Sequence, residues 1–189
     1  MISIILPCYN EEKRIGKTLE RIIKYLNEKK IKNEILIIDD ASTDGTIKVA
    51  EKFNCRIIKN KKNSGKGFSV RNGVLHSNGD LILFSDADLS TPIEELDVFL
   101  KLIKDYDIVI GSRRTSDAKV EIKQKNFRYV AGHAFPLLVQ LLILAEIKDS
   151  QCGFKLFRKE CKKIFIKQTI NGFAFDVELL YLASKYNFK

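Results

Sequence analysis

Hydrophobic positions along this chain alternate between two patterns. Short continuous apolar runs, typical of strands buried on both faces, recur five times before residue 111. Between them, apolar residues return every three or four positions, which predicts amphipathic helices. The predicted strands are residues 2–6, 34–38, 55–59, 80–85 and 107–110, and the predicted helices are 11–30, a segment ending near 53, a segment ending near 76, and 92–104. This alternation predicts an α/β fold with a mostly parallel central sheet flanked by helices and joined by right-handed crossovers.

The pattern loosens after Arg114. Residues 115–125 are polar and charged and predict a loop, and a long helix is expected at about 127–147. An apolar and basic segment at 153–158, a short helix near 159–165 and a final helix near 176–186 follow. Residues 134–147 are the most apolar stretch, but a bilayer-spanning helix needs about 20 residues. This stretch therefore fits either a core helix or a helix lying in a membrane interface.

Composition narrows the class of protein. With 189 residues, 30% charged and 45% hydrophobic, the chain is expected to form a single soluble domain, 1–189. Its net charge of +9 suits a nucleotide, a nucleic acid or an acidic membrane, although a lysine-rich solvated exterior explains it equally well. The four cysteines have no CxxC spacing, which favours reduced thiols in a cytosolic protein. Met1 leads directly into a strand, so no signal peptide is expected.

The most informative motif is Asp86-Ala87-Asp88, directly after a predicted buried strand. Two carboxylates at the carboxyl end of such a strand lie where open α/β sheets bind ligands. Their oxygens suit Mg²⁺ or Mn²⁺, which can in turn hold a diphosphate. By themselves, these aspartates could equally be caps of the next helix.

Three more polar clusters follow predicted strands. They are Pro7-Tyr9-Glu11, Asp39-Asp40 and Gly111-Ser112-Arg113. Because the carboxyl ends of parallel strands meet at one edge of the sheet, all four clusters are expected to converge there. This joint placement favours a ligand site over isolated caps and turns. No GxGxxG follows the first strand, which argues against a dinucleotide-binding dehydrogenase, and the aromatic and basic interleaving of an RNA-binding sheet is missing.

Several segments resemble the inverting family 2 glycosyltransferases of GT-A fold. The resemblance is carried by Ile-Ile-Leu-Pro-Cys-Tyr-Asn-Glu-Glu at 4–12, Asp-Asp-Ala-Ser-Thr-Asp-Gly-Thr at 39–46 and Asp-Ala-Asp-Leu-Ser at 86–90. Gly-Lys-Gly at 65–67, Gly-Ser-Arg at 111–113 and Asp-Ser-Gln-Cys-Gly-Phe-Lys-Leu-Phe at 149–157 are similar to members that transfer glucose or mannose to dolichyl phosphate. The resemblance covers nearly the whole chain. It implies a nucleotide-sugar-binding part at 1–111 and an acceptor-binding part at 112–189.

The resemblance also implies roles for single residues on the donor side. Pro7, Tyr9 and Glu11 would line the nucleoside pocket, and Asp39 or, preferably, Asp40 would accept a hydrogen bond from the base. Tyr9 could instead be a core aromatic and Asp39 a helix cap. Asp86 and Asp88 would hold the metal and the sugar diphosphate, with water where relatives often carry Gln instead of Ser90.

Basic residues would neutralise the donor diphosphate and the acceptor phosphate. Lys66, between two glycines, would either contact the donor or be solvated. Arg113, Arg128 and Lys155 would bind the acceptor phosphate, whereas Arg114 is expected to be solvated. Relatives often carry Arg where Lys155 stands. With Asp88, the two arginines Arg113 and Arg128 form the expected catalytic set.

The implied reaction moves glucose from UDP-glucose to a polyprenyl or dolichyl monophosphate with inversion, on Mg²⁺ or Mn²⁺. An ionised phosphate needs no dedicated base, so Asp176 and Glu178 are expected to cap or flank the last helix. The protein would lie peripherally on the cytoplasmic face of a membrane, with or without an anchoring partner subunit, and would not bind nucleic acid. Alternatives are a GDP-mannose-dependent mannosyltransferase and a non-catalytic, sugar-nucleotide-binding regulatory subunit.

Overall fold

The computed structural model describes residues 1–112 and 149–189. Its centre is a six-stranded sheet with the strand order β3-β2-β1-β4-β6-β5. β1, β2, β3 and β4 are parallel neighbours, whereas β6 runs antiparallel to both β4 and β5. The predicted α/β fold with a mostly parallel sheet is therefore confirmed.

The elements in chain order have the following bounds. The strands are β1 Ile2–Cys8, β2 Asn33–Asp39, β3 Arg56–Lys59, β4 Leu81–Ser85, β5 Ile108–Ile110 and β6 Phe154–Arg158. The helices are α1 Ile15–Glu28, α2 Thr46–Ala50, α3 Lys66–His76, α4 Leu96–Leu102, α5 Lys162–Lys167 and α6 Phe175–Lys185. Short 3₁₀ turns, Ile93–Glu95 and Lys159–Cys161, lead into α4 and α5. All five strands predicted before residue 111 are present.

Both faces of the sheet are covered because successive strand side chains point to opposite sides. On β1, Ile4 packs into a core shared with α1, while the next residue, Ile5, packs into a second core with α3 and α6. Both side chains are fully buried. This two-sided burial explains why the strands are continuous apolar runs and not alternating ones.

Two local features differ from the sequence-based expectation. Most of the segment 153–158 forms a strand, β6 (Phe154–Arg158), which lies between β4 and β5. Helix α1 begins at Ile15 and not at residue 11, since residues 10–12 form a loop bonded to the segment after β2. The first difference matters for the site, because β6 lies directly beside β4, the strand that Asp86 follows.

The loop predicted at 115–125 and the helix predicted at 127–147 lie outside the described residues. Across the two described ranges, no helix has the length and apolar character needed to cross a bilayer.

Candidate active site

A cleft of about 390 Å³ opens at the carboxyl ends of β1, β2 and β4. Its lining residues come from the loops after these strands and from the start of α3: Pro7, Cys8, Tyr9, Glu11, Asp40, Asn63, Gly65, Lys66, Ser69, Asp86, Ala87 and Asp88. Three of the four polar clusters singled out in the sequence thus contribute to one cleft. Of the fourth, Gly111 lies against Cys152, and Arg113 is outside the described residues.

The turn that carries Asp86 and Asp88 is held from three sides. The Asp86 N–H donates to the Gly153 carbonyl at 2.9 Å, and the buried Thr18 hydroxyl of α1 donates to the Ala87 carbonyl at 2.6 Å. The Ser90 N–H and hydroxyl both donate to Asp88 Oδ1, at 2.9 and 2.7 Å. The backbone geometry of this turn is consequently set by a residue of α1 and by the residue that precedes β6, as well as by its own sequence.

Lys66 is the first residue of α3, and its ammonium lies 2.7 Å from Asp86 Oδ1. The same ammonium lies over the Phe84 ring, 5.3 Å from the centroid. Its side chain is about one third exposed. This excludes the alternative that Lys66 is a fully solvated lysine. Lys66 is therefore a cleft residue, and it forms an ion pair with Asp86.

Asp40 and Asp39 differ although they are neighbours. Asp40 lines the cleft, and its carboxylate accepts hydrogen bonds from the Asn60 side chain and from the Ser64 and Gly65 N–H groups, at 2.8 to 2.9 Å. Asp39 is buried away from the cleft lining and accepts two long bonds, each 3.3 Å, from the Ser42 N–H. Asp40 therefore shapes the loop that precedes Lys66.

The residues after β1 form the opposite wall of the cleft. Tyr9 is about half exposed there, which rules out the alternative of a core aromatic. Glu11 also lines the cleft but forms a two-pronged ion pair with Arg14, at 2.6 and 3.0 Å. Hydrogen bonds from Asn10 to Ser42 and from Thr43 to Asn10 join this wall to the loop after β2.

Lys155 does not lie where an acceptor phosphate could reach it, and this prediction is corrected. The side chain is completely buried on β6. Its ammonium donates to Asp176 Oδ1 and to the Cys152 carbonyl, both at 2.5 Å. Lys155 is the cross-strand partner of Phe84 and faces the layer of α3 and α6, which accounts for its orientation toward Asp176.

The two acidic residues of α6 are also structural. Burial raises the pKa of Asp176, and the adjacent Lys155 ammonium opposes that rise. Glu178 accepts hydrogen bonds from the Thr169 and Ile170 N–H groups at 2.8 to 3.0 Å. Both residues lie within the first turn of the last helix, but neither caps it, because the start of this helix has no side-chain cap hydrogen bond; Asp176 is enclosed by protein.

Arg113, Arg128 and the comparison residue Arg114 lie outside the described residues. Their expected roles toward the acceptor stay predictions.

The two aspartates of the cleft suit a hard divalent cation. Asp88 is exposed, and Asp86 already holds one cation, the Lys66 ammonium. Within residues 1–112 and 149–189, no set of three or more His, Cys, Asp and Glu side chains converges on one metal position. A site with only two carboxylates is typical of Mg²⁺-type ions that take their remaining ligands from substrate phosphates and water.

Sequence reasoning missed two residues of this site, Thr18 and Gly153. A Cβ on Gly153 would lie 1.9 Å from Asp86 Oδ2, so the observed position of the Asp86 carboxylate depends on the missing side chain. Thr18 lies on the buried face of α1, where it resembles an ordinary core position. Of these two residues, only Gly153 could have been noticed in the sequence, because it lies in the segment Gln-Cys-Gly-Phe-Lys at 151–155, which carries part of the family resemblance.

This mostly parallel sheet with an acidic cleft at its carboxyl edge is the architecture of the GT-A glycosyltransferases, the class to which the structural neighbours belong. The sequence model of glycosyl transferase family 2 matches residues 3–165. The chain belongs to this family.

Two curated relatives show how far the similarity extends. The dolichyl-phosphate beta-glucosyltransferase of Dictyostelium discoideum is 41% identical over 98% of this chain and 63% of that protein. The human dolichyl-phosphate beta-glucosyltransferase is 34% identical over 96% of this chain and 62% of that protein. The chain thus spans less than two thirds of the length of these relatives.

Solved structures agree on the fold. Glucosyl-3-phosphoglycerate synthase from Mycobacterium tuberculosis, in a complex with UDP, superposes with a TM-score of 0.73 at 21% identity and covers 98% of this chain and 66% of its own. A mannosyltransferase from Pyrobaculum calidifontis, in a complex with GDP-Man and Mn²⁺, gives a TM-score of 0.59 at 20% identity, with 86% and 45% coverage.

Proposed function

We propose that this protein transfers glucose from UDP-glucose to a polyprenyl phosphate such as dolichyl phosphate, with inversion at the anomeric carbon. The observation that carries the proposal is the cleft in which Asp86, Asp88, Lys66 and Asp40 converge at the carboxyl edge of the sheet. Support for the substrates comes from the relatives at 34 and 41% identity, both dolichyl-phosphate beta-glucosyltransferases.

The nucleoside would bind between Tyr9 and Asp40. A carboxylate has about four acceptor positions, and the three hydrogen bonds to Asp40 use two on Oδ1 and one on Oδ2. One acceptor position on Oδ2 is left, which suits the single N–H of a uracil ring. Pro7, Glu11 and the exposed ring of Tyr9 would complete the pocket wall, whereas Asp39 is used by the Ser42 turn.

The diphosphate would lie over Asp86, Asp88 and Lys66. Asp86 and Asp88 would hold Mg²⁺ or Mn²⁺, which supplies charge neutralisation for the leaving UDP, an effect worth several kcal/mol. The ion would displace the Lys66 ammonium from Asp86 or share the carboxylate with it. A displaced Lys66 lies at the amino end of α3, where its charge and the helix dipole both favour a phosphate.

The acceptor needs no general base from the protein. A phosphate monoester has its second pKa at about 6 and is mostly dianionic at neutral pH. The residues needed on the acceptor side are cations, and Arg113 and Arg128 are proposed for this role because a guanidinium donates to two phosphate oxygens at once. In this arrangement residues 1–111 bind the donor and part of 112–189 binds the acceptor.

A polyprenyl acceptor places the reaction at a membrane surface, since its tail stays in the bilayer. The net charge of +9 suits anionic lipid, and we propose a peripheral position on the cytoplasmic face, with or without an anchoring partner subunit.

The test supplies UDP-glucose or GDP-mannose, Mn²⁺ or Mg²⁺ and a short-chain polyprenyl phosphate, and measures lipid-linked sugar. We expect the wild-type protein to transfer glucose. Asp88→Asn should reduce the rate of transfer by at least about tenfold, because it removes a metal-binding oxygen. Asp105→Asn is the matched control, because this exposed aspartate lines a separate depression at the opposite edge of the sheet. Transfer of mannose alone contradicts the donor assignment, and donor binding without any transfer favours a sugar-nucleotide-binding regulatory role.

A further inference from the structure

Lys155 has a second contact besides its ion pair. Its ammonium bonds to Asp176 of α6 and also to the carbonyl of Cys152, in the turn that precedes β6. Both side chains of the pair are almost completely inaccessible to solvent, 0% exposed for Lys155 and 3% for Asp176. The pair can therefore act only on the protein groups around it.

The turn fixed by Lys155 is the one that touches Asp86. Gly153, next to Cys152, accepts the Asp86 N–H at 2.9 Å through its carbonyl. The Asp86 carboxylate lies in the space where a Gly153 side chain would be, since a Cβ there would be 1.9 Å from Oδ2. A shift of this turn would move the main chain and the carboxylate of Asp86 together.

The ion pair and Asp86 also share an aromatic ring. The ammonium of Lys155 lies 5.7 Å from the centroid of Phe84, and that of Lys66 lies 5.3 Å from it. Phe175, immediately before Asp176, packs edge-on against the same ring with the centroids 5.9 Å apart. This packing keeps water away from the pair and makes the Lys155 hydrogen bonds strong.

We propose that Lys155 and Asp176 are positioning residues that hold the turn at 152–153 and thereby fix Asp86 for binding the metal and the donor diphosphate. The assignment of Asp86 rests on the proposed function. Stability alone does not account for the pair, because well-packed apolar residues commonly replace a buried ion pair without loss of stability. The pair supplies a charge-assisted hydrogen bond to one chosen carbonyl, which apolar residues cannot do.

The test compares wild type with Lys155→Met/Asp176→Asn, which removes both charges and keeps the side-chain volumes similar. Two properties are measured: hydrogen exchange of the Asp86 amide in the free protein, and the affinity for UDP in the presence of Mn²⁺. We expect the double variant to stay folded, to lose about an order of magnitude of Asp86 amide protection, and to bind UDP about 10- to 100-fold more weakly when Mn²⁺ is present, the usual effect of losing a partner of a metal ligand.

The control removes an exposed lysine–aspartate pair with the same 2.5 Å separation, Lys29→Met/Asp97→Asn, in which the asparagine keeps an acceptor for Tyr25. It should leave both properties unchanged. Lys155→Gln, which replaces the ammonium with a neutral amide, is the milder second variant should the double variant unfold. The proposal is overturned if the Asp86 amide in the variants exchanges as slowly as it does in the wild-type protein. If the wild-type protein itself does not bind UDP, the proposed function fails, and the amide exchange in the free protein still decides whether Lys155 and Asp176 position Asp86.

Discussion

Gly153 shows how a single residue without a side chain can define an acidic site. Asp86 lies over it, with the carboxylate in the place of the missing Cβ and the backbone N–H on its carbonyl. A methyl group there would force the Asp86 side chain out of its observed position, because the Asp86 main chain is held on the Gly153 carbonyl and cannot move away as easily. Gly153 therefore limits where the Asp86 oxygens can be.

Gly153→Ala should weaken Mn²⁺-dependent donor binding strongly while the protein stays folded. The added methyl group would push the Asp86 carboxylate away, and displaced metal ligands commonly cost about 10- to 100-fold in affinity. Calorimetric titration with UDP and Mn²⁺ measures this effect. Gly172→Ala is the matched control, since a Cβ there would meet no atom within 4 Å. Equal affinities of the two variants would contradict the role given to Gly153.

At the scale of elements, the loop 168–174 supports the start of α3. The Asn171 carbonyl accepts the Phe68 N–H, and the Gln168 side chain donates to the Gly67 carbonyl. Gly65 and Gly67 pack closely against the carbonyls of Asn171 and Ile170. Glu178 of α6 holds this loop through the Thr169 and Ile170 N–H groups, so α6 supports the segment that contains Lys66.

This contact should make stability depend on pH. Burial by itself would raise the pKa of Glu178, but hydrogen bonds from Ile170 and Thr169 outweigh burial and lower it. A carboxylate with a lowered pKa stabilises the folded state above its unfolded pKa of about 4.3, and this contribution disappears as the pH falls through the lower folded value. Glu178→Gln should therefore be less stable than wild type at pH 6, and the difference should shrink toward about pH 3.

Urea denaturation of both proteins at several pH values measures that difference. Glu20→Gln, at an exposed position of α1, is the control and should follow the wild-type pH dependence. A constant difference between Glu178→Gln and wild type across the pH range would show that ionisation of Glu178 is not involved.

For the whole molecule, the cleft combines segments from distant parts of the chain. The loops after β1, β2 and β4 supply its lining, and β6 and α6 support it from beneath. Occupancy of such a cleft should stabilise the entire fold, because a ligand that binds only the folded state shifts the unfolding equilibrium.

UDP with Mn²⁺ at about 100 times its dissociation constant should add about 2.7 kcal/mol to the free energy of unfolding. For a chain of this length, that corresponds to an increase in Tm of about 5 to 10 °C. Differential scanning calorimetry measures the shift. A much smaller increase is expected in two controls: wild type with UDP but no metal, and Asp88→Asn with UDP and Mn²⁺. If the increase in Tm were equal in all three cases, the nucleotide would bind without using the two aspartates.

Local sequence determined much of this protein by itself. Continuous apolar runs specified the strands of the parallel part of the sheet, since a strand buried on both faces needs apolar residues throughout. Parallel strands end at one edge, and this rule sufficed to predict that Tyr9, Asp40, Asp86 and Asp88 share a cleft.

The tertiary structure decided what depends on contacts between distant segments. Residues 153–158 have no local pattern that reveals an antiparallel strand between β4 and β5, because that place is set by the partners on both sides. Lys155 looks like a phosphate ligand in the sequence, but the pleat of β6 turns it inward toward Asp176, 21 residues away. Its residue types and its place after a strand made Asp86-Ala87-Asp88 a candidate metal-binding motif. Its anchoring by Thr18 and Gly153 depends on long-range hydrogen bonds and close packing, which only the folded chain can form.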